Sequence, residues 1–466
     1  MDNRNNQNST ELKTMTTKKL TDYIKQSISV QDTKKEEQPK PTQTRIQFKK
    51  ETKFQETSIG KIPKDWRLER LSNISSEIRA GGTPLRSRRE YWNGDIPFVK
   101  IEDMTNSFKY LLTTSETITK EGLENSNAWL VPENSLLLAI YGSLGEVVIN
   151  KIKVTTNQAI LAIIPRNPKD VEYLYYWFLY YKPIWKKYAK PTTQPNLTKE
   201  IVENALLPYP PSSEREKIAE ILSTVDSAID RVRRLVERAE KLKKGLMQEL
   251  LTKGIGHKEF KETPIGKIPK EWKVNKLGNI AEIIMGQSPP SGTYNREGKG
   301  LPFLQGKMGF GRIYPSPTLY CSKPIKIAEP NDILISVRAP VGDVNVAPFK
   351  LCIGRGLAAV RFNPQKAIYW FYFYYLQKIK NFLENLSKGS TFKAITKDDL
   401  ENLEIPVPPL SEQEIIAEIL YTVDEYIRVL EARLERLEHV KKWLMDVLLT
   451  GKVRVIVEPS SGGSSG

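Results

Sequence analysis

Apolar residues recur along 212–251 at the spacing of one long amphipathic helix. Ile218, Val225, Val232, Ala239 and Leu246 follow one another every seven residues. Leu222, Ile229, Val236 and Leu250 fall four positions after members of that series, and Ile221, Ala228, Leu235 and Leu242 three after. The result is a broad stripe at the coiled-coil period, interrupted by Lys243 alone. Pro210 and Pro211 precede it, Ser212 or Ser213 can cap it, and Gly254 lies just past its end. At about 1.5 Å per residue, roughly 40 residues make a rod of about 60 Å. A lone helix would leave the stripe wet, so the pattern demands a partner. The chain supplies one at 411–449, where Ile416, Val423, Leu430, Leu437 and Leu444 repeat the series. Leu420, Tyr426 and Trp443 widen it, and Lys441 stands where Lys243 stood.

The repetition extends beyond the rods. PSSEREKIAEILSTVD (211–226) and PLSEQEIIAEILYTVD (409–424) share 12 of 16 positions, and TSIGKIPKDW (57–66) returns as TPIGKIPKEW (263–272) with eight of ten identical. Internal repetition at this scale sets the architecture. After each GKIPK start come RLERLSNI and KVNKLGNI, then the turns GGTP (81–84) and GQSP (286–289). LLLAIYGSLGEVVI (136–149) parallels ILISVRAPVGDVNV (333–346), which aligns Gly145 with Gly342. These β-branched runs between Gly and Pro predict strands of a twisted mixed sheet. Each half closes with an aromatic helix, 172–188 and 367–383, apolar on every face and so expected in a core rather than as a base-stacking platform. The order is globule, rod, globule, rod: an α/β (α+β) chain with two mixed globules, 57–211 and 253–410, followed by helices 212–252 and 411–450. Rods joined through globule-sized connections must pair antiparallel, with an approximate two-fold axis. Residues 1–56 read as a polar tail, disordered or a docking element, with Leu20, Tyr23, Ile24 and Ile28 spaced for a short helix. Residues 451–466 read as a frayed end followed by the flexible linker SSGGSSG.

Length and charge narrow the function. The 466 residues exceed one core, and 71 Lys and Arg against 55 Asp and Glu give +16, which points to a polyanionic partner. The surplus is +4 over 57–210 and +9 over 257–408, but −3 over 409–466. The globules and the N-terminal tail, which adds +4 over 1–56, rather than the rods, therefore carry the excess. Cys321 and Cys352 have no metal-like spacing, and the polar N-terminus has no apolar signal region; both suit a reducing cytosol. With His257 and His439 as the only histidines, acid–base capacity near neutral pH is small. Gly306-Lys307 runs into Met308, so no nucleotide-binding P-loop is present. Glu271-Trp272-Lys273 has the spacing of some nuclease metal sites, but the first copy has Asp65-Trp66-Arg67. Nuclease chemistry would require metal-dependent cleavage abolished by Glu271→Ala.

The doubled GKIPK[DE]W start, the PP-x-SE-x-E-x-IAEIL-x-TVD rod start (its second proline–proline being Pro408-Pro409) and the closing KK-x-LM-x-x-LL-T at 243–252 and 441–450 resemble the specificity subunits of type I restriction–modification enzymes. The likeness covers roughly 57–451. It implies that the globules are target recognition domains and that the rods form an antiparallel coiled coil setting the separation of two half-sites. It also implies partners: duplex DNA, two modification subunits carrying adenine methyltransferase chemistry, and restriction subunits. No cofactor is implied on this chain; S-adenosylmethionine, ATP and Mg belong to those partners. The chain is then expected to be non-catalytic, cytoplasmic and away from membranes. The residues leave a second reading open, a coiled-coil structural protein that binds DNA without sequence preference.

Base reading requires polar or cationic side chains on loops that enter a groove. In the first globule the candidates are Arg86, Arg88, Arg89, Lys100, Ser143 and the turn residues Thr192, Thr193, Gln194 and Asn196. In the second they are Gln287, Arg296, Lys299, Lys307, Arg312, Arg338, Arg355 and the turn residues Lys388, Ser390, Thr391 and Lys393. A solvated surface role competes at each. Arg355 stands out because Gly354 and Gly356 permit close backbone approach. The coiled-coil and subunit interface is expected from Ile218, Leu222, Val225, Ile229, Val232, Leu235 and Leu242 on the first rod. On the second it is expected from Ile416, Leu420, Val423, Tyr426, Leu430, Leu437, Trp443 and Leu444, with the surplus Leu235, Leu242, Tyr426 and Trp443 assigned to a partner's helices.

Overall fold

Both rods form as the stripe demands, over Ser212–Lys253 and Leu410–Leu449. In this computed structural model residues 46–188, 196–388 and 394–457 are described. The expected helix around Leu20, Thr192, Thr193, Gln194, Ser390, Thr391, Lys393 and the SSGGSSG linker lie outside them. The described chain divides into two units: a first of 46–234 with 432–457, and a second of 235–431. Each unit holds one globule and a part of each rod.

In the first unit a five-stranded sheet runs Ser75–Ala80, Ile160–Pro165, Leu136–Ala139, Val147–Asn150, Tyr110–Leu111. Its last pair is parallel and the others antiparallel, so the sheet is mixed as expected. The repeat sequences behave alike: Leu136–Ala139 and Val147–Asn150 form a hairpin, as do Ile333–Ser336 and Val344–Val346 in the second unit. These strands are apolar without alternation because both faces are covered. Leu136 and Leu138 pack into the cluster around the aromatic helix, while Leu137 and Ala139 enter a second cluster with Val99, Val131 and Val154.

The aromatic helices are core elements. Tyr173 to Phe178 of helix Val171–Tyr188, and Phe371 to Leu376 of helix Tyr369–Lys378, are all buried. The second copy breaks at Ile379 and resumes as Lys380–Lys388.

Rod pairing is antiparallel within each unit. In the first, Asp226 meets Lys441 at 2.7 Å and Arg233 meets Glu438 at 2.6 Å; in the second, Lys243 meets Asp424 at 2.8 Å. The polar interruption of each stripe, Lys243 or Lys441, is thus the counter-ion of the buried Thr-Val-Asp aspartate on the opposite rod. The width of the stripe also has a cause. Ile218 and Leu222 pack into the first globule's core beside Met445, Leu448 and Leu449, and Ile416 and Leu420 enter the second globule's core. Ile229, Val232, Val423 and Leu430 are buried, whereas Val225, Leu235, Leu437 and Leu444 are half-buried. Much of the surplus assigned to a partner is therefore taken up internally. Leu242 and Tyr426 pack against Ala239, Val423 and Ile427, and Tyr421 packs against Trp370 of the aromatic helix. Trp443 differs, being 59% exposed.

Two expectations need correction. Residues Val453–Val457 are not a frayed end, and 46–56, the described part of the expected polar tail, are built into the first unit. Val453–Val457 pairs antiparallel with Ile46–Lys50, and Phe54–Thr57 forms a hairpin with Gly60–Pro63. Here Arg454 binds Glu51, Asp65 and Glu214, each at 2.8 Å, and Trp66 Nε1 donates to Glu214 at 3.1 Å. The second unit builds the same joint from the inter-repeat linker. Trp272 Nε1 donates to Glu412 at 2.9 Å, and His257 Nε2 lies 2.9 Å from it. Gly254, at φ +66°, makes the turn; a Cβ there would meet Glu412 at 2.4 Å.

Candidate nucleic-acid interface

In the second unit, Leu301–Leu304 runs parallel to Leu351–Ile353, in the register Phe303 to Cys352. The segments leaving these strands, with the one after Ile333–Ser336, form the wall of a cleft of about 640 Å³. Gln305, Lys307, Met308, Arg338 and Arg355 line it. The turn Gly354-Arg355-Gly356 lies against Gln305 through Gly354 N to Leu304 O (2.8 Å) and Gly356 N to Gln305 O (3.1 Å). A Cβ on Gly356 would fall 2.6 Å from the Gln305 carbonyl oxygen, so the glycines are what allow this approach. Val337 N donates to Gly356 O at 2.9 Å and brings Arg338 alongside. Ser288, from the GQSP turn, accepts from Gln305 Nε2 at 2.7 Å and from Arg355 N at 3.3 Å.

The first unit repeats this frame with other side chains. Thr155 pairs in parallel with Phe98, and Ile140 N donates to Ala159 O at 2.9 Å, as Val337 does to Gly356. That register places Lys100 in the position of Gln305, Tyr141 in that of Arg338 and Gln158 in that of Arg355. Thr83 of GGTP takes the part of Ser288 and donates to Gln158 Oε1 at 2.7 Å. Tyr141 and Gln158 are exposed.

Several candidates are committed to carboxylates. Arg86 and Lys100 share Glu116, at 2.7 and 3.0 Å, and Arg86 lies over the Trp92 ring at 3.8 Å. Burial raises the Glu116 carboxyl, but the Arg86 and Lys100 hydrogen bonds outweigh it and hold the group below the usual range. Lys307 and Lys380 likewise share Asp343, at 2.5 and 2.6 Å, and hold it low against the effect of burial. The Glu116 cluster keeps one surplus positive charge, whereas Lys380 also reaches Glu384 at 3.9 Å and balances the Asp343 cluster. Arg88 pairs loosely with Glu90 at 3.4 Å, and Arg89 is exposed. Ser143 is half-buried in the hairpin turn, where its carbonyl accepts from Glu146 N. Asn196 has a buried Oδ1 with no partner among the described residues. Gln287, Arg296 and Lys299 are exposed, and the Lys299 backbone is bridged by the Asn295 side chain. Lys388 ends its helix, with its side chain outside the described residues.

Arg312 is committed to the rods. It reaches Glu240 and Glu431 (3.4 Å) on the two rods and lies 3.7 Å from Asp424, so it bolts globule to rods instead of facing a groove. The repeated frame also contains Gln305, Ser288, Thr83, Tyr141 and Gln158, which the sequence alone does not single out. The internal repeat could have found them, since each aligns with a residue already singled out or with its support.

Among the described residues no helix is long and apolar enough to cross a membrane. A family model described as the type I restriction modification DNA specificity domain matches residues 63–241 and 269–439. A chain assigned as the specificity subunit of the MjaX type I restriction enzyme of Methanocaldococcus jannaschii is 42% identical over 423 residues. The match covers 88% of this chain and 99% of that one. The MjaVIII specificity subunit of the same organism is 30% identical, over 88% of this chain and 98% of its own. Among solved structures, one reported for complex assembly and conformational transition of the type I R-M system is 30% identical. It matches with a TM-score of 0.53 over 84% of this chain and 99% of that chain. The S subunit from M. genitalium, 15% identical, shares the fold with a TM-score of 0.57 over 82% of this chain and 96% of that one. Two globules that repeat one frame, two rods locked by reciprocal buried ion pairs and a family match spanning both repeats agree: the chain belongs to the family of type I restriction–modification DNA specificity subunits.

Proposed function

We propose that each unit reads one half of an asymmetric, bipartite duplex target, while the rods hold the halves apart. The observation that carries this reading is that one strand frame, repeated in both units, presents different side chains at corresponding positions: Lys100, Tyr141 and Gln158 in the first, and Gln305, Arg338 and Arg355, which line the cleft, in the second. A common frame with exchanged side chains suits two half-sites of different sequence. The surplus charge of Arg86 and Lys100 over Glu116 suits a flanking phosphate. Trp443 and Val440, three residues apart and both exposed, offer an apolar face for a modification subunit. Two such subunits would hold S-adenosylmethionine and flip the target adenine, and restriction subunits would use ATP and Mg, all in the cytoplasm. This chain supplies address and assembly and no catalytic group.

The test is reconstitution with the cognate modification subunit, followed by sequencing of the modified positions. Exchange of residues 81–206 for those of a homologue is expected to replace one half of the motif and leave the other intact. A motif indifferent to the exchange would sink the proposal. Competition over random DNA should return one enriched bipartite sequence; a flat, steeply salt-dependent profile would mean backbone binding alone.

Rod length is a second handle. Because the rods pair antiparallel, a heptad added after Arg233 needs a matching heptad near Ala432 to keep register. The pair adds about 10 Å, roughly three base pairs. The expected result is a spacer longer by about that amount with both half-sites unchanged, read from the same sequencing.

A further inference from the structure

The cleft of the second unit contains two guanidinium groups, Arg338 and Arg355, and neither has a carboxylate partner among the described residues. The contrast with the neighbouring cations is sharp: Lys307, Lys380, Arg312 and Arg361 are all ion-paired. Two guanidinium groups on one concave wall, both free of carboxylates among the described residues, suit an electronegative ligand. Arg355 is exposed, yet its backbone is fixed by Ser288, by Gly354 N to Leu304 and by Gly356 N to Gln305. A planar fork carried on a rigid turn suits bidentate recognition, whereas a phosphate can be held by the point charge of a flexible lysine. Met308, fully exposed on the rim, adds an apolar contact of the kind a base or sugar offers. In the major groove the acceptor pair that fits such a fork is O6 and N7 of guanine.

We infer that Arg355, with Arg338 beside it, reads guanine in the half-site bound by the second unit. The inference rests on the bipartite reading above. Gln158, in the matching place, gives the first unit an amide where the second has a guanidinium, so the two half-sites differ in chemistry at corresponding positions.

The experiment uses the complex reconstituted with the modification subunit. With Arg355→Gln, one half of the motif is expected to lose its preference for a G·C pair at one position while the other half stays as it was. On the unaltered complex, 7-deazaguanine placed at that position removes the N7 acceptor. It should slow modification at subsaturating enzyme by roughly 5-fold or more, within the range of a lost bidentate contact, while the same substitution in the spacer has no effect. Arg355→Lys, which keeps the charge and donors but loses the planar fork, should keep a weakened preference for that G·C pair; an undiminished preference in Arg355→Gln would overturn the inference. So would an unchanged motif with evenly weakened modification, the mark of a phosphate contact. If Arg355→Gln fails to assemble, the 7-deazaguanine series decides alone, and insensitivity at every guanine of both halves overturns the inference. A motif without any G·C pair in either half does the same while leaving the bipartite reading intact. Absence of any motif removes both.

Discussion

Replacing Lys243 by methionine is expected to cost the second unit about 3 kcal/mol, because it removes the hydrogen-bonded counter-ion of a buried carboxylate and leaves only the Arg312 guanidinium, 3.7 Å away. Asp424 is fully buried and Lys243 nearly so, with 2.8 Å between them. The hydrogen-bonded pair holds its place only as a pair; either charge alone in that setting is strongly unfavourable. The double variant Lys243→Met, Asp424→Leu should therefore recover most of the loss, since an apolar pair of similar volume tolerates burial. Chemical denaturation with hydrogen exchange resolved over 235–431 would locate the effect. A single variant as stable as the parent would show that water reaches the pair. Lys441 and Asp226 form the reciprocal pair, so Lys441→Met should reproduce the effect in the first unit. The pairs also specify direction. A parallel, in-register alignment of the repeated rods would set Asp226 against Asp424 and Lys243 against Lys441, burying like charges.

The second large effect lies at Arg454. This guanidinium satisfies Glu214, Glu51 and Asp65 together, and the Glu214 side chain is 5% exposed. Arg454→Met should cost about 3 kcal/mol or more, because Glu214 keeps only Trp66 Nε1 and the Val455 amide as donors. The same joint predicts acid sensitivity. The backbone amide of Lys53 and then the Arg454 guanidinium hold the Glu51 carboxyl down at about 2, from an ordinary value of 4.5. Arg454 also holds Asp65 below its ordinary value. Depressed carboxylates stabilise the fold fully above their unfolded values, and that contribution is lost as pH falls through the folded ones. The first unit should thus lose stability progressively from about pH 4.5 to about pH 2. In Arg454→Met the slope should be shallower but present, since the Lys53 amide still holds Glu51. Unfolding midpoints measured against pH check this, and equal slopes would refute it.

The rods, the repeat, the core aromatic helices and the strand hairpins were legible because each is a local pattern or a copy of one. What escaped depends on distance along the chain. Ile46–Lys50 and Val453–Val457 are short strands whose partners lie some four hundred residues apart, and neither segment announces the other. Lys243 looks like a flaw in the stripe until Asp424 is brought against it. Arg312 looks like a groove-facing cation until the rods supply Glu240 and Glu431. Gln158 and Gln305 carried no composition signal and became visible only when strand register aligned the two globules.

The strand pairing of Ile46–Lys50 with Val453–Val457 bears on how the protein is made. Residues 235–431 are continuous, so the second unit can close as soon as it has left the ribosome. The first unit, although synthesised earlier, must wait: Met445, Leu448, Leu449 and Val455 belong to its core. The usual amino-to-carboxyl order of domain folding is therefore reversed. A nascent chain halted before residue 440 would present a finished second unit beside an open, aromatic-rich first one that needs protection until the last residues emerge.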